Sequence, residues 1–197
     1  MKRGHLWITW LGMGIFALIP PLIVLFDQPV FYTEMFSRVM ILALAAMSLD
    51  LVLGFGGMVS FGHAVYIGIG AYTVGIFSYY GIDNGFIQFP VTVVVCGVIA
   101  FAIGAMSLRT SGVYFIMITL AFAQMIYFLG ISLEEFGGDD GMPVNRSEFG
   151  GLIDLYDTNS FYYFVFVMLL VLLFLSHRLI HSRFGLVLQG TKSNDGR

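Results

Sequence analysis

Six predominantly apolar stretches, 6–26, 37–55, 60–80, 87–108, 112–133 and 160–180, constrain this chain more than any other feature. A helix that crosses the hydrocarbon core of a bilayer needs about 20 such residues, because each backbone N–H and C=O must find its partner inside the segment. Charged residues make up 11% of the 197 and hydrophobic ones 58%, whereas a soluble domain carries roughly a quarter charged residues to cover its surface. The chain therefore reads as all-α, a polytopic integral membrane helical bundle of about six spans whose main solvent is the lipid bilayer.

The first stretch follows Lys2 and Arg3, as a secretory leader would. It is long, contains Pro20-Pro21 and runs into "FDQPVFYTE" without a small-x-small cleavage pattern, so it reads as a retained anchor bent near the prolines. The third stretch is the weakest, being rich in glycine and interrupted by His63. A re-entrant or tilted course is the alternative to a plain crossing. With six crossings and the N-terminus inside, Lys2, Arg3, Arg109, Arg178, Arg183, Lys192 and Arg197 fall on the inner face, against Arg38 and Arg146 outside. That positive-inside bias places both termini in the cytoplasm and favours a third segment that does cross. Glu134, Glu135, Asp139, Asp140, Glu148, Asp154 and Asp157 then lie together in one outer loop, 134–159. Its Gly137-Gly138 and Gly141-Met142-Pro143 are turn chemistry, so an ordered cap with tight bends is expected.

Function classes can be narrowed further. No basic stripe interleaved with aromatics is present, so no nucleic-acid partner is expected. Cys96 is the one cysteine, in an apolar run, and has no partner for an intramolecular disulfide. His177 and His181 have the spacing of a helical metal pair, but "SHRLIHSR" supplies no further ligand, and polar anchoring of a helix end explains them. Asp139-Asp140 lacks the alternating oxygen ligands of a calcium loop. No metal site is expected.

The segment "LDLVLGFGGMVSFGHAVYIGIGAY" (49–72) carries Asp50, Ser60, His63 and the glycines 54, 56, 57, 62, 68 and 70 inside membrane-like sequence. Helices in lipid associate through small residues that admit close backbone approach and through a few interhelical hydrogen bonds. Ser60, Ala64, Gly68, Ala71 and Gly75 fall on one helical face, as do Ala43, Ala46, Asp50 and Gly54 in the preceding span. Two small-faced helices joined by a tight Gly56-Gly57 turn are expected at the centre of a bundle. An ionisable group in a span costs at least ~2.5 kcal/mol unless partnered, so Asp50, Ser60 and His63 need a second reason. They fix helix geometry, line a pathway, or imitate a hydrolytic triad. The triad is the weakest reading: Met58 stands where the first glycine of Gly-x-Ser-x-Gly should be, and nothing supplies an oxyanion hole.

"LAAMSLDLVLGFGGMVSFGHAVYIGIGAYT" (44–73) resembles the signature of the permease subunits of branched-chain amino-acid ABC importers. The resemblance rests on Leu49, Asp50, Leu51, Gly54, Phe55, Gly57, Ser60, Gly62, His63, Ala64, Tyr66, Gly68, Gly70, Ala71 and Tyr72. "LRTSGVYFIMITLAFAQM" (108–125) and "FGGDDGMPV" (136–144) are similar to two further family motifs in the same order, with Phe136 replacing the usual small hydroxyl residue. "HSRFGLVLQGTKSND" (181–195) resembles the cytoplasmic segment that docks on the ATPase.

The resemblance implies a transport subunit, not an enzyme, in a bacterial inner membrane, here the N-terminal part of a longer permease with its coupling segment at 181–197. It implies a second homologous permease, two cytoplasmic ATPases and a periplasmic amino-acid-binding protein as partners. Cofactors are expected to be absent from this chain, which has no Gly-x-x-x-x-Gly-Lys-[ST], with ATP and Mg bound by the ATPases. Asp50, Gly54, Gly57, Ser60, Gly62, His63, Gly68 and Ala71 are the helix-packing or pathway candidates, and Phe184, Gly185 and Lys192 the ATPase-coupling candidates. A urea or short-amide permease of the same superfamily and a passive channel remain as alternatives.

Overall fold

The computed structural model describes residues 14, 16–23, 30–110, 112–151 and 154–192. Among them the regular elements are helical: α1 (residues 16–23), α2 (Phe31–Asp50) continued by a π segment (Leu51–Phe55), α3 (Ala64–Tyr79), α4 (Gly85–Ser107), α5 (Val113–Ser132), a 3-10 turn (Glu134–Phe136), α6 (Thr158–Ile180) and α7 (Arg183–Lys192). Four are long and apolar enough to cross a bilayer, namely Phe31–Phe55, Gly85–Ser107, Val113–Ser132 and Thr158–Ile180. Much of the expected first span, 6–13, 15 and 24–26, lies outside the described residues, as do 193–197 of the coupling segment.

Two expected boundaries are corrected. The second span starts at Phe31 rather than 37, because "FYTEMF" continues the helix once the chain has passed Pro29. The third is a 16-residue helix, Ala64–Tyr79, not a segment over 60–80. At 1.5 Å per residue it is about 24 Å long, short of the ~30 Å hydrocarbon core. Its far end is set by Gly81 at φ +69°. Ile82 N–H donates to the Phe77 carbonyl (2.9 Å) and Gly81 N–H to that of Ser78 (3.0 Å), the paired C-terminal bonds that a left-handed glycine permits.

The chain divides into two compact units, Met1–Met47 with Asp154–His181, and Ser48–Ile153 with Ser182–Arg197. The core of the first is Met40, Tyr162, Val165, Phe166 and Leu169, with Phe16, Phe36 and Leu173 packed against it. Pro20 has no N–H to give the carbonyl four residues back, at Phe16. The fully buried Tyr162 supplies the missing donor, its hydroxyl 2.6 Å from the Phe16 oxygen. Helix α6 starts at Asp157, whose carboxylate accepts from the Ser160 N–H at 3.0 Å. At its other end the His177 and His181 rings stack 4.3 Å apart, and His181 Nδ1–H donates to the His177 carbonyl (2.8 Å). That bond ends a helix.

In the second unit α3 packs on both α4 and α5. Asn84 caps α4, its side-chain oxygen accepting from Phe86 N–H (3.0 Å). Beyond Gly137, whose left-handed backbone lies against the Gly141 carbonyl, the acidic loop folds back over the α3–α4 connection. Glu148 N–H donates to the Asp83 carbonyl (2.6 Å), and Gly85 N–H to that of Glu148 (2.8 Å). The Ser147 hydroxyl donates to Gln88 Oε1, and buried Gln88 donates to the Ile82 carbonyl (2.7 Å). Phe149 meets Phe86 edge to face and covers Gly85. The loop is held by backbone pairing and one buried amide.

Candidate functional site

The last turn of α2, the π segment and the turn before α3 bring most of the sequence candidates together, all within the second unit. A π turn holds an extra residue relative to an α turn. Here Gly56 N–H reaches back to the Leu51 carbonyl (3.2 Å) and Met58 N–H to that of Val52 (3.3 Å). A Cβ at Gly56 would stand 2.5 Å from the Val52 carbonyl oxygen, and Gly57 has φ +69°. Both positions need glycine to end the helix this way. The connection to α3 therefore occupies 56–63 rather than a two-residue Gly56-Gly57 turn.

Within this turn the Ser60 hydroxyl accepts from Gly62 N–H (3.3 Å). Gly62 runs so close to α5 that a Cβ there would lie 2.7 Å from the Thr119 carbonyl oxygen. The half-buried His63 shares a 2.7 Å hydrogen bond with Ser48 through Nε2, and its ring meets Tyr66 edge to face at 5.8 Å. Cys96 Sγ sits 3.8 Å from the Tyr66 carbonyl, joining α4 to the start of α3. Asp50 is exposed and makes no capping hydrogen bond, but its carboxylate lies over Gly54, where a Cβ would stand 2.5 Å from Oδ1. The three polar candidates thus form no triad: Ser60 serves its own turn and His63 pairs with Ser48.

On α3, Ala64, Gly68 and Ala71 are exposed in this chain, with open space around Gly68, whereas Gly75 is buried against Met142. Tyr72, between them, donates to the Gly130 carbonyl on α5 (2.7 Å). Helix α7 packs on the π segment. Within α7 Gly185 is buried, its N–H donating to the Ser182 hydroxyl (3.2 Å), while the side chains of Phe184 and Lys192 lie outside the described residues. Among the described residues no group of three His, Cys, Asp or Glu could hold a metal ion. Sequence reasoning missed Ser48 and Thr119. Ser48 was visible as a hydroxyl two positions before Asp50. Thr119 acts through its backbone, which leaves no trace in composition.

A family model described as the permease component of branched-chain amino acid transport systems matches residues 31–196. The chain belongs to this family. The match takes in α2 through α7 and agrees with the resemblance carried by residues 44–73. A relative from Salmonella typhimurium (strain LT2), the high-affinity branched-chain amino acid transport system permease protein LivM, is 26% identical over 173 aligned residues. The alignment covers 76% of this chain and 41% of that relative, so the chain spans about two fifths of the relative's length. No solved structure matches. With four helices long and apolar enough to cross a bilayer, this member of a family of transport-system permease components is a multi-pass membrane protein.

Proposed function

We propose that this chain is a permease subunit of an ATP-driven importer of branched-chain amino acids in a bacterial inner membrane. The observation that carries the reading is the family match over 31–196, which includes the glycine-rich segment, the acidic loop and α7. A second permease encloses the path with this one, a binding protein delivers substrate to the acidic-loop face, and two ATPases bind ATP and Mg on the opposite face, where both termini lie. The acidic loop, held by backbone pairing, and the short helix α7 fit those two docking roles.

Reconstitution of the gene product in proteoliposomes together with a second permease, the ATPases and the binding protein of such an importer tests this. Uptake of labelled leucine that requires ATP and the loaded binding protein is the expected result. Uptake of urea in its place moves the substrate to short amides. Uptake that persists without the ATPases makes the protein a channel and overturns the reading.

A further inference from the structure

Among the described residues Leu51–Phe55 is the one helical stretch wound as a π turn, and three features converge on it. Helix α7 packs on it, with Gly185 buried. Ser48 precedes it by one turn, and the chain that leaves it leads through Gly57 to His63, which returns to bond Ser48. A π turn can move along a helix by one residue without breaking the chain's other bonds, and each residue it passes rotates by about 100° and shifts by about 1.5 Å. Glycines occupy 54, 56 and 57: an added Cβ would meet the Asp50 carboxylate at 54 and the Val52 carbonyl oxygen at 56, and Gly57 takes φ +69°.

We propose that Leu51–Phe55 is a register-shifting joint, so that displacement of α7 moves the π turn and thereby makes or breaks the Ser48–His63 hydrogen bond. Ser48, His63 and Gly185 are then positioning residues for the helices they join. The inference rests on the permease reading only for the source of the displacement, the partner ATPases.

The joint is testable without those partners. Coupling between two sites is reciprocal, so a change at either end must be felt at the other. The full chain in lipid nanodiscs is compared by backbone amide exchange with Gly185→Val, which adds bulk at a buried position of α7, and with Ser48→Ala, which deletes the latch. Gly185→Val is expected to speed exchange in 51–63 by about tenfold, the order of a typical intersite coupling, with Val113–Ser132 unchanged. Ser48→Ala is expected to speed exchange in Arg183–Lys192. Normal α7 exchange in Ser48→Ala overturns the joint, and it does so even if Gly185→Val loosens the whole protein. Because no ATPase is needed, the joint can fail while ATP-driven uptake stands, and uptake can fail while the joint stands.

Discussion

Ser48 Oγ and His63 Nε2 lie 2.7 Å apart, tying the last turn of α2 to the residue before α3 across fifteen positions of sequence. Inside a membrane such bonds contribute on average ~0.6 kcal/mol and at most ~1.7. A double-mutant cycle of Ser48→Ala and His63→Ala, read by thermal unfolding in detergent, is expected to give a coupling in that range. Strictly additive losses would mean that the pair does not act as a pair.

Tyr162→Phe isolates a different device. The ring stays, but the Phe16 carbonyl loses the hydroxyl that replaces the N–H missing at Pro20. An orphaned buried acceptor costs about 1–3 kcal/mol. Replacing Pro20 by alanine restores a donor, so Pro20→Ala combined with Tyr162→Phe should recover part of the loss. No recovery in the double variant, by the same melting assay, would remove proline as the cause.

Apolar runs of helical length announced the helical membrane class, because lipid admits few other solutions. Asn84 and Asp157 stand three residues before the runs 87–108 and 160–180 and cap the helices there, a role the apolar pattern alone does not mark. What sequence could not display was close approach. Gly62 against Thr119 and Gly75 against Met142 depend on which helix lies opposite, and periodicity fixes a face without naming its neighbour. The π turn was hidden for a related reason: it follows from how the helix ends on Gly56 and Gly57 and how α7 lies on it, not from a local preference of Leu51–Phe55. The tight turn expected at Gly56-Gly57 lengthened to eight residues because Ser60 and Gly62 close a turn of their own.

Asp157 makes the stability pH-dependent in a defined direction. The Ser160 backbone N–H first, and its hydroxyl second, hold this exposed carboxyl below the ordinary aspartate range. Its folded value is therefore lower than its unfolded one. The cap contributes fully above about pH 4, the ordinary aspartate value, and is lost as pH falls through the depressed folded value. Asn caps a helix as well without titrating. Acidification from pH 7 to about pH 3 should lower the melting temperature of the wild type more than that of Asp157→Asn; parallel losses would refute the assignment.

Asp50 separates a hydrogen-bonding role from a charge role. Its carboxylate lies over Gly54 at the entrance to the π turn. Amidation preserves shape and hydrogen bonding, whereas leucine keeps the branched shape and abolishes the hydrogen bonding. Asp50→Leu is expected to damage assembly or uptake more than Asp50→Asn. Equal loss in the two variants, in an uptake assay normalised to membrane insertion, would assign the role to the charge.

Two glycines six positions apart, one before α3 and one within it, should respond in opposite ways to the same methyl group. At Gly62 the added Cβ meets the Thr119 carbonyl oxygen at 2.7 Å, a backbone atom of α5 that no rotamer change can move aside. Overpacking of that kind costs about 1–3 kcal/mol, so Gly62→Ala should lower thermal stability in detergent. At Gly68, inside α3, nothing lies within 4 Å. Alanine there removes a weak helix former and should stabilise the isolated chain by up to about 1 kcal/mol. Melting curves of the two variants decide the matter: if Gly68→Ala destabilises as much as Gly62→Ala, the exposed face of α3 is already covered within this chain.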